Sequence, residues 1–181
     1  LRLLDVACGS GKFPAALTSH ADVASALVKA IDYALLDPSI FSISEARKVL
    51  EPPFQPGAEY EMKLQNLECD QGSFDIVWAT HALYAIPRNE LEPALRCMVH
   101  AMGHGGKANK RGAGFIAHAS AQSHYLQFYQ HYLTGFKEGV GEPYTDSEQI
   151  TSILTQMELS LEIKEINYTN GAPGTEELQI E

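Results

Sequence analysis

Asp5-Val6-Ala7-Cys8-Gly9-Ser10-Gly11 carries the end of the apolar run Leu1–Val6 into a Gly-rich turn and precedes a helical segment from Lys12 to about His20, where Pro14 is tolerable in the first turn. A glycine-rich turn between strand and helix lets the backbone approach a ligand closely, because glycine carries no Cβ. Two nucleotide-binding patterns fit this turn badly. A GxxxxGK[ST] phosphate loop would need Gly where Val6 stands and Ser or Thr where Phe13 stands. A GxGxxG dinucleotide fingerprint beginning at Gly9 meets Pro14 at its third glycine, which disfavours an NAD-dependent oxidoreductase.

Outward from this turn, strand-like and helix-like segments alternate. The apolar stretch Ala24–Leu36 ends in a strand, Tyr33–Leu36, that runs into Asp37. A helix over Ser44–Leu50 stops at Pro52-Pro53, and Ala58–Leu64 alternates weakly. Phe74–Ala79 is a strong buried-strand run. Leu91, Leu95, Met98, Val99 and Met102 give Arg88–Met102 a helical period, and Gly103–Gly114 has the composition of a loop. A strand over Phe115–Ala119, an aromatic helix over Ser123–Phe136 and a helix capped within Thr145–Glu148 and running to about Met157 follow. The alternating segment Leu159–Tyr168 closes the regular structure, and the tail from Asn170 is rich in Gly, Pro and Glu. This alternation predicts an α/β fold with a mostly parallel sheet, whose ligands bind beyond the carboxyl ends of the strands.

Bulk properties narrow the partners. The 181 residues carry 13 Lys and Arg against 23 Asp and Glu, a net charge of −10. Such a chain has no electrostatic reason to hold a phosphate backbone, so nucleic acid is disfavoured. No apolar run reaches the ~18–20 residues that span a bilayer. The three cysteines, Cys8, Cys69 and Cys97, contain no CxxC pair. They predict buried, reduced thiols in a cytoplasmic protein, without a disulfide framework or a metal.

Asp5, Gly9 and Gly11 resemble the DxGxGxG loop of class I S-adenosylmethionine-dependent methyltransferases, with Ala7 in place of the first glycine. The resemblance gains weight from Asp37 at the end of the second strand and from Phe74-Asp75-Ile76-Val77, which is similar to the family's fourth strand. It implies a Rossmann-like doubly wound sheet and S-adenosylmethionine as cofactor. It also implies a domain over residues 1–169 with a short tail over 170–181, and a chain that begins inside the first strand, without the helices that precede it in the family. Asp5, Ala7, Gly9 and Gly11 would form the cofactor loop. An isolated Asp before Pro38 suits helix capping, but paired with this loop Asp37 would accept hydrogen bonds from the ribose hydroxyls. Gln65, Asn66 and Leu67 would lie near adenine and Thr80 near the cofactor.

For the acceptor, Thr80-His81-Ala82-Leu83-Tyr84 replaces the [DN]PP[YFW] signature of enzymes that methylate nucleic-acid amines, which points to a small molecule. Asp37-Pro38-Ser39, Leu83-Tyr84 and Tyr144–Glu148 are similar to segments of histamine N-methyltransferase-like enzymes. That likeness implies His81 and Tyr84 as catalytic, acceptor-facing residues and puts His124 and Phe128 in the acceptor pocket. His81 has a suitable unperturbed pKa to orient or deprotonate an amine, and Tyr84 offers a ring to a cationic one. A structural hydrogen bond for His81 and core packing for Tyr84 are the competing assignments. A non-catalytic, methyltransferase-like binding module is the alternative function, motivated by Ala7 and by the lack of an obvious base. The stripe Tyr125, Phe128, Tyr129, Tyr132 reads as core or lid packing, His100 with His104 as an incomplete metal pair, and Lys107, Lys110 and Arg111 as a solvated turn.

Overall fold

The computed structural model describes residues 1–20, 30–84, 86–102 and 112–168. Apolar side chains at successive positions let β1 (Arg2–Val6) feed both faces of a sheet. Leu4 and Val6 join one hydrophobic cluster, and Leu3 joins another on the opposite face. β2 (Ile31–Asp37) divides in the same way, with Ala34 and Leu36 on one side and Tyr33 and Leu35 on the other. A central strand buried on both faces is the signature of a parallel sheet covered by helices.

Beside these two strands stand β3 (Phe54–Glu61), β4 (Ile76–Thr80) and β5 (Ala113–Ala117). The sheet order is β3-β2-β1-β4-β5, and every pairing is parallel. The helices are α1 (Lys12–His20), α2 (Ile40–Lys48), α3 (Arg88–Ala101), α4 (His124–Phe136) and α5 (Ser147–Gln156). Ile43 and Ala46 of α2 pack with Trp78 and Tyr33, while Leu91, Leu95 and Met98 of α3 and Ile150 of α5 pack on the other face. The Rossmann-like architecture is as the sequence implies. From β1 the order runs outward in both directions, so a crevice opens at the carboxyl ends of β1 and β4.

Several boundaries differ from the sequence-based expectation. β3 begins at Phe54 and includes Pro56 and Gly57; it lies at the sheet edge, where a missing N–H costs little. α2 starts at Ile40 because Ser39 caps it, accepting from the Ser42 N–H at 3.3 Å. β5 starts two residues early, at Ala113, in register with Ile76. The alternating segment Leu159–Tyr168 forms no strand, and Ile163 and Ile166 are exposed. The start of the Ala24–Leu36 stretch, most of the Gly103–Gly114 loop and the tail from Asn170 lie outside the described residues. Among the described residues no helix is long and apolar enough to cross a membrane.

Candidate functional site

The turn after β1 is built from left-handed backbone. Ala7, Gly9 and Gly11 have φ of 52°, 53° and 75°. Gly11 is required by space as well as by φ: a Cβ there would stand 2.8 Å from the Ala46 Cα of α2. A Cβ on Gly9 would meet nothing within 4 Å, so this side of the loop is open to a ligand. Ala7 departs from the family glycine with a consequence beyond close packing. It is held where L residues are strained, at a cost of about 1 kcal/mol.

Asp37 ends β2 beside this loop and is buried, at 8% exposure. Its Oδ2 accepts from the Gly9 N–H at 3.1 Å and its Oδ1 from the Ser39 N–H at 2.9 Å. The cap of α2 therefore belongs to Ser39, and Asp37 joins the loop to the start of that helix. Carboxylate oxygens have about four lone-pair positions, so two remain for other donors. Cys8, next to the loop, has its thiol pushed up to about 12 by burial, with the Asp5 and Asp37 charges adding to the effect. That leaves it a small apolar filler.

Asp5 sits below the loop at 3% exposure. The Tyr33 hydroxyl donates to its Oδ2 at 2.8 Å. Burial raises its pKa to about 7, against the lowering pull of Tyr33 and of the Trp78 indole, and the Asp37 charge adds to the rise. The Trp78 Nε1 favours the carboxylate electrostatically from outside hydrogen-bond geometry and has no bonded partner among the described residues.

A second group of side chains collects beyond β4 and β5. Thr80 closes β4, and its Oγ1 is buried without a partner. His81 follows at φ 52°, its N–H held by the Ala117 carbonyl at 2.9 Å. Its Nδ1 lies 2.8 Å from the Tyr84 Oη, which also accepts from the Ala119 N–H at 3.1 Å. One of these two groups donates to the other across this contact, as the His81 tautomer sets. Burial holds the Tyr84 phenol above its ordinary pKa and keeps it protonated.

Around Tyr84 the aromatic rings are close. His118 stacks on it with centroids 3.9 Å apart, Tyr125 meets it edge-on at 5.2 Å, and Tyr144 lies at 5.8 Å. Tyr129 stacks on Tyr144 at 3.7 Å. The face of α4 turned to this cluster is thus Tyr125 and Tyr129. His124 and Phe128 stack on each other at 6.4 Å, and Phe128 is 65% exposed. The structure does not bring these two to Tyr84.

The segment assigned to adenine is also divided. Gln65 and Asn66 lie in a 3-10 turn, Leu64–Asn66; Gln65 Nε2 donates to Glu90 of α3, and Leu67 is in the core. His100 pairs with the Cys69 carbonyl at 3.0 Å. His104, Lys107, Lys110 and Arg111 lie outside the described residues. Two surface depressions stand away from the glycine loop. One, of about 260 Å³, is lined by Arg88, Tyr129, Tyr144 and Asp146; the other, of about 520 Å³, by Arg96, His100 and Met157.

Sequence reasoning missed His118 and the ring of Tyr144. The signal was positional: His118 follows β5 as His81 follows β4, and Thr80 pairs in register with Ala117. His118 Nε2 lies 2.9 Å from the Thr145 carbonyl, which can only accept, so Nε2 carries the proton. Its Nδ1 is buried without a partner. Burial holds the His118 pKa below its ordinary value. Thr145 is fully buried; its N–H reaches the Tyr84 carbonyl and its hydroxyl the Ile86 carbonyl, both at 3.4 Å. One residue thereby fastens the loop after β4, the end of β5 and the start of α5 together.

Residues 3–106 match the family model of the methyltransferase domain. Among solved structures, the chain is similar to a SAM-dependent methyltransferase and possible histamine N-methyltransferase of Thermotoga maritima, at 15% identity and a TM-score of 0.58. That alignment covers 86% of this chain and 62% of the Thermotoga protein. It is similar also to the magnesium protoporphyrin IX methyltransferase of Synechocystis PCC 6803, solved with bound SAH, at 19% identity, TM-score 0.59, and coverage of 93% and 68%. A SAM-dependent methyltransferase of Methanosarcina mazei aligns at 17% identity, TM-score 0.58, and coverage of 86% and 77%. The chain thus spans about three fifths of the length of the Thermotoga protein. No curated protein matches the sequence.

Proposed function

The chain belongs to the methyltransferase domain family, and from that premise we propose that it transfers a methyl group from S-adenosylmethionine to a small-molecule acceptor, with an amine the first candidate. The observation that carries this reading is the buried Asp37 carboxylate beside the open face of Gly9. A carboxylate with spare lone pairs next to a bare stretch of backbone suits a sugar diol and the main chain of an amino-acid moiety. Thr80 Oγ1, buried and unpartnered at the end of β4, is a further polar atom on this edge of the sheet. The net charge of −10 favours a small or cationic acceptor over a polyanion.

When bound, S-adenosylmethionine supplies a methyl group already activated on a sulfonium. The residues then have to align and dehydrate rather than perform covalent chemistry, and alignment alone contributes up to ~7–11 kcal/mol. Asp37 would hold the ribose hydroxyls, the Ala7–Gly11 turn would lie along the cofactor, and Thr80 would face it. His81 and Tyr84 would meet the acceptor. Because the His81 Nδ1 is engaged by Tyr84, His81 in this arrangement orients the acceptor through its other ring nitrogen.

Calorimetric titration with S-adenosylhomocysteine tests the reading. We expect binding, weakened at least tenfold by Asp37→Ala and by less in His81→Ala. Absence of binding by the folded protein overturns the cofactor assignment, and the reverse ranking overturns the role of Asp37. Binding without turnover on amines, hydroxyls and thiols would assign a non-catalytic module.

A further inference from the structure

In the aromatic cluster the two histidines differ in what their nitrogens have left to offer. His81 spends its Nδ1 on the Tyr84 hydroxyl. His118 spends its Nε2–H on the Thr145 carbonyl and keeps an Nδ1 lone pair that is buried and unpartnered. A buried acceptor left unsatisfied is costly, and native structures rarely hold one without a use. His118 is also fixed in place. It stacks on Tyr84 at 3.9 Å, follows the last residue of β5, and hangs from the carbonyl of a fully buried threonine. Its ring cannot turn over without losing the Thr145 bond, so the lone pair keeps its direction.

We propose that His118, through Nδ1, accepts a hydrogen bond from the N–H or O–H of the methyl acceptor and so selects acceptors that carry such a donor. The inference rests on the methyltransferase reading above and deepens it. His81 and His118 both lie against Tyr84, His81 at its hydroxyl and His118 on its ring. An acceptor already bearing no N–H or O–H would leave Nδ1 unsatisfied and be discriminated against, as buried polar groups discriminate elsewhere.

The test uses the full chain loaded with S-adenosylhomocysteine and nitrogen-15 spectra of its imidazoles. The probes are phenol and aniline, with anisole and N,N-dimethylaniline as the matched compounds that lack a donor. We expect His118 to be the Nε2–H tautomer and its Nδ1 resonance to move with phenol and aniline but not with the matched compounds. His118→Gln keeps an amide donor for Thr145 and removes the lone pair; it should weaken phenol about tenfold while S-adenosylhomocysteine affinity stays within about twofold. His118→Asn, which returns an acceptor near the Nδ1 position, should recover part of that loss. A purely structural role would lower the melting temperature in both variants and leave the Nδ1 resonance indifferent to the probes. If S-adenosylhomocysteine binds and Nδ1 answers to none of the probes, this inference fails and the methyltransferase reading stands. If S-adenosylhomocysteine does not bind, both fail.

Discussion

Gly11 and Ala7 share left-handed backbone angles for different reasons, and substitutions separate them. At Gly11 a Cβ would enter the backbone of α2, 2.8 Å from the Ala46 Cα, at a φ that L residues already resist. Gly11→Ala should therefore destabilise the fold by about 2 kcal/mol or more, read as a fall in the urea midpoint at an unchanged slope. Asp5 makes a pH-dependent prediction. Its carboxyl ionises near 3.8 in the unfolded chain and near 7 when buried. The folded state therefore favours the neutral acid, and this contribution, complete below about pH 4, is lost as pH climbs towards about 7. Asp5→Asn, which retains an acceptor for Tyr33, should gain stability over wild type at pH 8 and little at pH 4. Equal differences at both pH values would mean that the Asp5 carboxyl titrates normally. Asp5, Gly9, Gly11 and Asp37 were legible because they lie at fixed places around one turn. The strain at Ala7 was not, since a φ is a property of the closed turn rather than of the residue name.

At the level of elements, legibility followed the strength of the local signal. β1, α1 and β4 combine a mostly apolar run or a helix-forming stretch with a hard boundary, and their positions match closely. β3 did not announce itself, because Pro56 and Gly57 weaken it and its alternation serves only one neighbour. α4 was found with its length right, yet the face it turns inward could not be chosen. Its aromatics occur both at Tyr125 and Tyr129 and at His124 and Phe128, and only the packing of Tyr144 decides between them. α5 starts at an N-cap, Asp146, whose Oδ1 accepts from the Gln149 N–H at 2.8 Å. Asp146→Ala should cost about 1 kcal/mol of stability, measurable by thermal unfolding. Because Thr145 immediately precedes this cap and carries His118, the same change should also broaden the His118 imidazole signals.

Across the whole molecule, β1 carries the glycine turn, and β4 and β5 carry the His81, Tyr84 and His118 cluster, at the carboxyl edge of one parallel sheet. The turn and the cluster come from distant stretches of chain, which is why the turn could be read from a contiguous motif while the cluster needed the register of β4 with β5. A ligand that binds only the folded state raises the melting temperature by mass action. S-adenosylhomocysteine at about 100 times its dissociation constant should contribute ~2.7 kcal/mol and raise the midpoint by roughly 5–10 °C. The Asp37→Ala variant should show much less of this rise at the same concentration.

The bond from the Gly9 N–H to Asp37 has one more consequence. It holds the turn in a single shape before any ligand arrives, so the entropy of ordering those residues is charged to folding and not to association. A cofactor bound as proposed would take the lone pairs of Asp37 that are left over, while the internal bond stays in place. Deuterium uptake at the Gly9 amide should accordingly be slow in the ligand-free protein, and Asp37→Ala, which cuts this tether, should speed it.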